Sequence, residues 1–368
     1  MIDLDSIIEK YPNCVTEGDV IKSYSTVKEE YLALKNGIGV KLCYNYSKIK
    51  LSGNDVLDYI HRISTNSVLQ LMPYEHVNTI FTNEKGKIVD RTTLIRFPNY
   101  NLLVGGFFPE KKLIAWFERY IISEDISLED FTDKVILLEL IGKQTESFLS
   151  LMLDDSFKTL SEKNVIKCSV EGVSFYLLKR KEINNFNKYW ILFEDYKVAD
   201  VYEFMMNNKS FYDLQFVGET AYNIYRVENG IPYAPYEIIH RVNPHEVKLL
   251  DEVNFKKGCY IGQEVIARLD TYDKVQRYMM GILFENGEKL LSNTQDVVLF
   301  NEVKKEVGFV TTVIKSELYG KYAGLGFIKK DFVELGSVYD VYINEEYITK
   351  AIITEIPIKY ENLYKNRG

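Results

Sequence analysis

A chain of 368 residues, 46% hydrophobic and 27% charged, has the length for two or three domains with sizeable cores. Its 53 acidic against 45 basic residues leave a formal charge of -8, which argues against nucleic acid or an anionic membrane as partner of the molecule as a whole. The four cysteines and four histidines are scattered with no C-x-x-C pair, so neither a disulfide framework nor a self-contained zinc or iron–sulfur site is expected.

The start, Met1-Ile2-Asp3-Leu4-Asp5-Ser6, is acidic where a secretory leader is basic. No apolar run approaches the ~18 residues that span a bilayer, and a cytoplasmic location is expected. Residues 21–36, with Val27, Tyr31, Leu32 and Leu34 among charged neighbours, predict a helix stopping at Asn36-Gly37. Tyr46 to Leu51 alternates like a strand, and Ser52-Gly53-Asn54-Asp55 turns it into a helix carrying Val56, Leu57, Ile60 and Ile63. Strands over Val77–Thr82 and Ile88–Phe97 flank the turn Asn83-Glu84-Lys85-Gly86-Lys87. A strand at Leu102–Gly105, a helix at Pro109–Ile121, a strand at Lys134–Leu140 and a helix at Thr145–Met152 continue an α+β pattern. From about Arg277 the texture changes to short β runs at Tyr278–Phe284, Asp296–Phe300, Val307–Thr312, Tyr322–Ile328 and Val338–Ile343, spaced for a small barrel or sandwich. The boundary gives domains at 1–275 and 276–368.

No dinucleotide fingerprint, P-loop or internal repeat appears. The informative stretch is Lys256-Lys257-Gly258-Cys259-Tyr260-Ile261-Gly262-Gln263-Glu264. Its cysteine stands between glycines where a loop turns into a helix, and a helix start with two lysines nearby favours a thiolate. For an arbitrary cysteine the bland expectation is burial at a tight turn.

Phe255 to Glu264, followed by Ala267-Arg268, resembles the cysteine signature of the YgfZ-like branch of folate-binding proteins, relatives of the glycine-cleavage T-protein. Tyr225 to Pro232, Pro244 and Glu246, Ile63-Ser64-Thr65-Asn66, Asn83 to Asp90, Gly142, Val307 to Thr311 and Ala323 to Gly326 are similar in order and spacing, over roughly residues 25 to 355. The resemblance implies an α+β fold: an interleaved T-protein-like folate-binding body closed by a C-terminal antiparallel β-barrel. It implies tetrahydrofolate as cofactor and, as partners, iron–sulfur proteins or their assembly factors; no membrane partner is expected, and the oligomeric state stays open with a monomer favoured. It also implies an accessory role in iron–sulfur enzyme maturation or repair, with Cys259 as the reacting thiol. The competing expectation is a folate-dependent aminomethyl or methyl transferase. The transferases carry two successive aspartates after the hairpin turn, the second catalytic, where this chain has Asp90 followed by Arg91. An arginine there reverses the electrostatics that transfer to an amine requires. Arg91 is otherwise read as a solvent-facing charge.

By the same resemblance Arg226 and Glu228 lie near the cavity, Asn66 lies near the pterin, and Asp90 stays available to the ligand. Lys257 and Arg268 are candidate partners of the glutamate tail. The alternative for Arg226 is a structural pair with Glu228 or Glu237. No metal site is expected.

Overall fold

The computed structural model describes residues 7, 10–106, 110–182, 186–291 and 296–360. The acidic start at residues 1–6 and the helix-initiating Pro109 lie outside them. The chain forms two compact units that are not contiguous in sequence: residues 1–79 with 90–222, and residues 80–89 with 223–368.

In the first unit, strands β1 (Val15–Glu17) and β2 (Val20–Ser23) form a small antiparallel pair ahead of helix α1 (Val27–Asn36). The helix begins later than the apolar spacing predicts. Thr26 caps it, accepting the Glu29 N–H at 3.3 Å and donating to the Glu29 carboxylate at 2.8 Å, a Thr-x-x-Glu start that was open to reading in the sequence. Then come β3 (Ile38–Leu42), β4 (Lys48–Ser52), α2 (Val56–Ile63), β5 (Glu75–Thr82), β6 (Ile88–Arg96), β7 (Asn101–Val104), α3 (Glu110–Glu118) and β8 (Ser127–Asp130). Next are β9 (Val135–Ile141), α4 (Thr145–Leu153), β10 (Val165–Val170), β11 (Val173–Glu182), β12 (Phe186–Glu194), α5 (Val198–Asn208) and β13 (Leu214–Phe216). They build a six-stranded sheet ordered β10-β11-β12-β9-β3-β13 and a five-stranded sheet ordered β5-β6-β7-β4-β8. Only β13 runs parallel to its neighbour β3 in the first sheet; the other pairings there are antiparallel.

Helix α6 (Glu219–Glu228) carries the chain from one unit into the other. In the second unit, α7 (Gln263–Thr271) precedes β14 (Arg277–Phe284), α8 (Glu288–Leu291), β15 (Val297–Phe300), β16 (Glu306–Lys315), β17 (Tyr322–Lys329), β18 (Val338–Ile343) and β19 (Glu346–Thr354). The six strands close a barrel in the order β14-β17-β16-β15-β18-β19, with β14 pairing both β17 and β19. Closure removes free edges and decides between the barrel and sandwich expectations. Alternating residues such as Ile282, Phe284, Leu299, Val341 and Ile353 fill its core. No described helix is long and apolar enough to cross a membrane.

Candidate functional site

Asp90 sits on β6 in the first unit and is 2% exposed. Its Oδ1 accepts the backbone N–H groups of Arg91 (2.8 Å) and Gly106 (3.3 Å), while its Oδ2 has no partner. Burial pushes this carboxyl up to about 7 despite those two bonds, which favour the charged form. Gly105 makes the room: a Cβ there would lie 2.5 Å from both Asp90 Oδ2 and Ser47 Oγ. The Ser47 hydroxyl is likewise buried without a partner. Two unsatisfied polar atoms therefore converge on one glycine, and each costs ~1–3 kcal/mol unless something polar meets it.

Neighbouring strand residues face opposite sides, so Arg91 projects away from Asp90, on the side of Thr93. Arg91 is 8% exposed, which corrects the expectation of a solvent-facing charge. β6 is buried along nearly its whole length, so neither face is left to water. Beside Thr93 a polar network runs through the unit. Thr93 Oγ1 and Arg180 Nε both donate to Asn78 Oδ1, at 2.9 and 3.2 Å. The Arg180 guanidinium stacks 4.3 Å from the centre of the Trp190 ring. Trp190 Nε1 donates to Glu139 Oε2 at 2.9 Å, and Lys188 Nζ donates to Glu139 Oε1 at 3.1 Å. Glu139 and Trp190 are directly paired across β9 and β12, so the ladder itself sets this contact. Asn66 Nδ2 donates to the Asn78 carbonyl at 2.9 Å, and Asn66 Oδ1 accepts the Ser67 N–H at 2.8 Å. The Asn66 amide thus pins the turn after α2 to β5.

In the second unit the hairpin tip and the cysteine segment form one cluster. Asn83 Oδ1 accepts the N–H groups of Lys85 and Lys87, both at 3.0 Å, and fixes the turn. Thr82 Oγ1 donates to the Ile261 carbonyl at 2.6 Å. Gly262 has φ +81, and a Cβ there would come within 2.4 Å of the Asn83 carbonyl oxygen and 3.1 Å of the Gly86 Cα. Only glycine meets both demands, a left-handed backbone and direct backbone contact. Gly262 caps α7, so Cys259 lies three residues ahead of the cap, in the loop that turns into the helix. Of the four cysteines Cys43 and Cys168 are buried, Cys14 is half-buried and Cys259 is exposed, so the expectation of burial fails. Beneath the thiol the loop is anchored by Tyr260, packed with Val253 and Ile266. The Lys257 ammonium lies 5.2 Å from the Tyr260 ring centre, and burial lowers it to about 8. Arg268 lies on the exposed side of α7.

All three guanidinium nitrogens of Arg226 are held by protein groups. The residue is 0% exposed; Nη1 donates to Glu237 Oε2 (2.6 Å), Nη2 to Thr312 Oγ1 (3.0 Å) and Nε to Asn223 Oδ1 (2.8 Å). This realises the structural-pair alternative, with Glu237, and corrects the placement of Arg226 at a cavity. Glu228 Oε1 accepts the Tyr360 hydroxyl at 2.9 Å and so holds the chain beyond the barrel. The equivalent tie on the hairpin is Glu246, 1% exposed, which pairs with Arg277 at 2.9 Å and Lys87 at 3.4 Å.

Ser47, Glu139, Arg180, Trp190 and Glu246 were not singled out from the sequence as site residues. Glu139 was detectable: it is the lone charge in the apolar run Val-Ile-Leu-Leu-Glu-Leu-Ile, a pattern that demands a buried partner. Ser47 carried no signal, because its role depends on a glycine far along the chain.

A family model described as the GCVT N-terminal domain matches residues 10–257, ending just before Cys259. The aminomethyltransferase of Bacillus subtilis is 25% identical, over 91% of each chain. A chloroplastic protein of Arabidopsis thaliana, classed as a transferase, is 24% identical over 93% of this chain and 76% of its own. The solved structure of the glycine cleavage system aminomethyltransferase T from Bartonella henselae superposes with a TM-score of 0.78 at 14% identity, covering 96% of each chain. The shared fold, together with the match to most of its length, makes this chain a member of the GCVT N-terminal domain family.

Proposed function

We propose that this protein is a reduced-folate-binding accessory factor that serves iron–sulfur enzymes through Cys259. The observation that carries the reading is the presentation of that thiol: of the four cysteines it is the exposed one, on a loop fixed to the hairpin by a glycine contact. An exposed thiol on a rigid mount can reach a sulfur or a metal held by another protein, while buried cysteines cannot. Replacing Cys259 with Ala and with Ser in cells, then assaying cluster-dependent enzymes, tests it. Normal enzyme activity alongside normally folded variants would remove the thiol from the function.

The folate half of the proposal rests on the two unpartnered polar atoms beside Gly105. Tetrahydrofolate carries one-carbon units on its ring nitrogens, and its pterin presents N–H donors. The unpartnered Asp90 Oδ2 and Ser47 Oγ match those donors, and we propose that these two residues hold the ring edge. For Lys257 and Arg268 we propose recognition of carboxylates such as those of a glutamate tail, read as weaker binding of tetrahydrofolate by Lys257→Met and Arg268→Met. Calorimetry with tetrahydrofolate decides the premise, since absence of binding would remove it.

A second reading, a folate-dependent one-carbon transferase, is favoured by the state of Asp90 and by the aminomethyltransferases among its relatives. A buried carboxyl titrating near neutrality can give and take a proton at working pH. Against it stands buried Arg91 in place of the second acid. Formation of methylene- or methyl-folate from tetrahydrofolate and a methylamine donor, lost in Asp90→Asn, would establish it.

A further inference from the structure

The first unit contains a concavity of about 630 Å³, and none of the residues around Asp90 lines it. Leu42, Val135 and Leu137 form apolar wall, and Tyr196 and Val198 lie at the start of α5. The charged group inside is Lys48, 2% exposed. Its ammonium donates only to backbone carbonyls, those of Tyr46 (3.2 Å), Cys43 (3.4 Å) and Thr132 (3.5 Å). Among the described residues it makes no ion pair, and Asp130 and Asp133 act on it only from further away.

A buried ammonium without a counter-ion is costly, by several kcal/mol, and neutral carbonyls offset only part of that. Elsewhere in the same unit buried lysines are paired: Lys188 with Glu139, and Lys41 with Glu219. Lys48 differs in lacking a carboxylate and in bordering open space. The mouth is mixed, with exposed Asp133, Asp200 and Lys197, so discrimination falls to the buried cation. Val198 and Ala199, the first residues of α5, also line the cavity, and the start of that helix adds a field of the same sign.

We propose that this cavity is a binding site for a small organic acid, whose carboxylate pairs with Lys48 while its apolar body lies against Leu42, Val135 and Leu137. Burial lowers Lys48 to about 8 when it stands alone, and an anion beside it would restore the full charge.

The test uses the full chain with phenylacetate and its neutral isostere phenylacetamide, measured by calorimetry. Phenylacetate is expected to bind saturably and about tenfold or more tightly than the amide, the difference a charge-assisted hydrogen bond supplies. Lys48→Met should abolish that preference, and Ala199→Trp, which leaves Lys48 in place and fills the cavity, should abolish binding of both. Equal affinity for acid and amide in the natural protein, no saturable binding of phenylacetate, or binding unaffected by Ala199→Trp would overturn the assignment. The comparison of acid with amide needs no variant, so a misfolded Lys48→Met would not protect the proposal.

Discussion

The raised Asp90 carboxyl makes a stability prediction with a definite sign. In the unfolded chain it titrates near 3.8 and in the folded protein near 7. The folded state therefore holds the proton more tightly, and the resulting stability is fully present below the unfolded value and lost as pH rises through the folded one. At ~1.4 kcal/mol per pH unit the whole gap is worth about 4 kcal/mol, of which about 3 kcal/mol disappears between about pH 5 and 8. Asp90→Asn keeps an oxygen to accept the Arg91 and Gly106 N–H groups but cannot titrate. Urea unfolding followed by tryptophan fluorescence is the assay, because Trp116 and Trp190 both lie in the unit that holds Asp90. The natural protein should lose about 3 kcal/mol more than Asp90→Asn over that pH range. A pH dependence equal in both proteins to within about 0.5 kcal/mol would refute the claim that burial raises this carboxyl.

Iodoacetamide on the native protein should label Cys259 fast, leaving Cys43 and Cys168 unmodified until denaturant is added; peptide mass mapping reads the outcome. Arg226→Ala should cost about 3–5 kcal/mol in chemical unfolding, because Glu237 is left as a buried, uncompensated charge. Restoring the packing with a double Arg226→Met, Glu237→Leu change should recover part of it. Gly262→Ala should cost at least about 1–3 kcal/mol through its left-handed backbone and its contact with Asn83, and should raise hydrogen exchange in the segment 255–262. Acetylation of Lys257 should rise with pH through about 8, well below the range of an ordinary lysine.

What could be read from the sequence follows from the range over which each signal acts. Local signals were reliable: the hairpin at Asn83–Lys87, the turn-to-helix step at Gly53 and the strand-rich run after Arg277 all appear in place. Apolar spacing extends the predicted helix back to residue 21, but the Thr26 cap starts it at Val27 and leaves Val20–Ser23 to a strand. The hairpin pair β10 and β11, strand β12 and helix α5 carry apolar runs whose pairing is settled only by the sheet they join. Side-chain partners over long separations were the hardest. Nothing near Arg226 in sequence announces Thr312, and nothing near Asp90 announces that Gly105 opens space for Ser47. Arg91 was misjudged for a related reason: a charge on a strand suggests a wet face, but β6 has none.

The glycine contact between hairpin and cysteine loop joins positions 86 and 262, with 175 residues of chain between them. On a ribosome adding about 5–20 residues per second, the finished hairpin tip waits roughly 10–35 seconds for the segment it docks against. During that interval Gly86, Thr82 and Asn83 have none of their later partners from the cysteine loop, and the tip is available to chaperones and proteases. The second unit cannot be completed in order of synthesis, because ten of its residues are made before most of the first. Cys259 is made at the end of that interval, three residues before Gly262, so its thiol and the contact that mounts it are synthesised together.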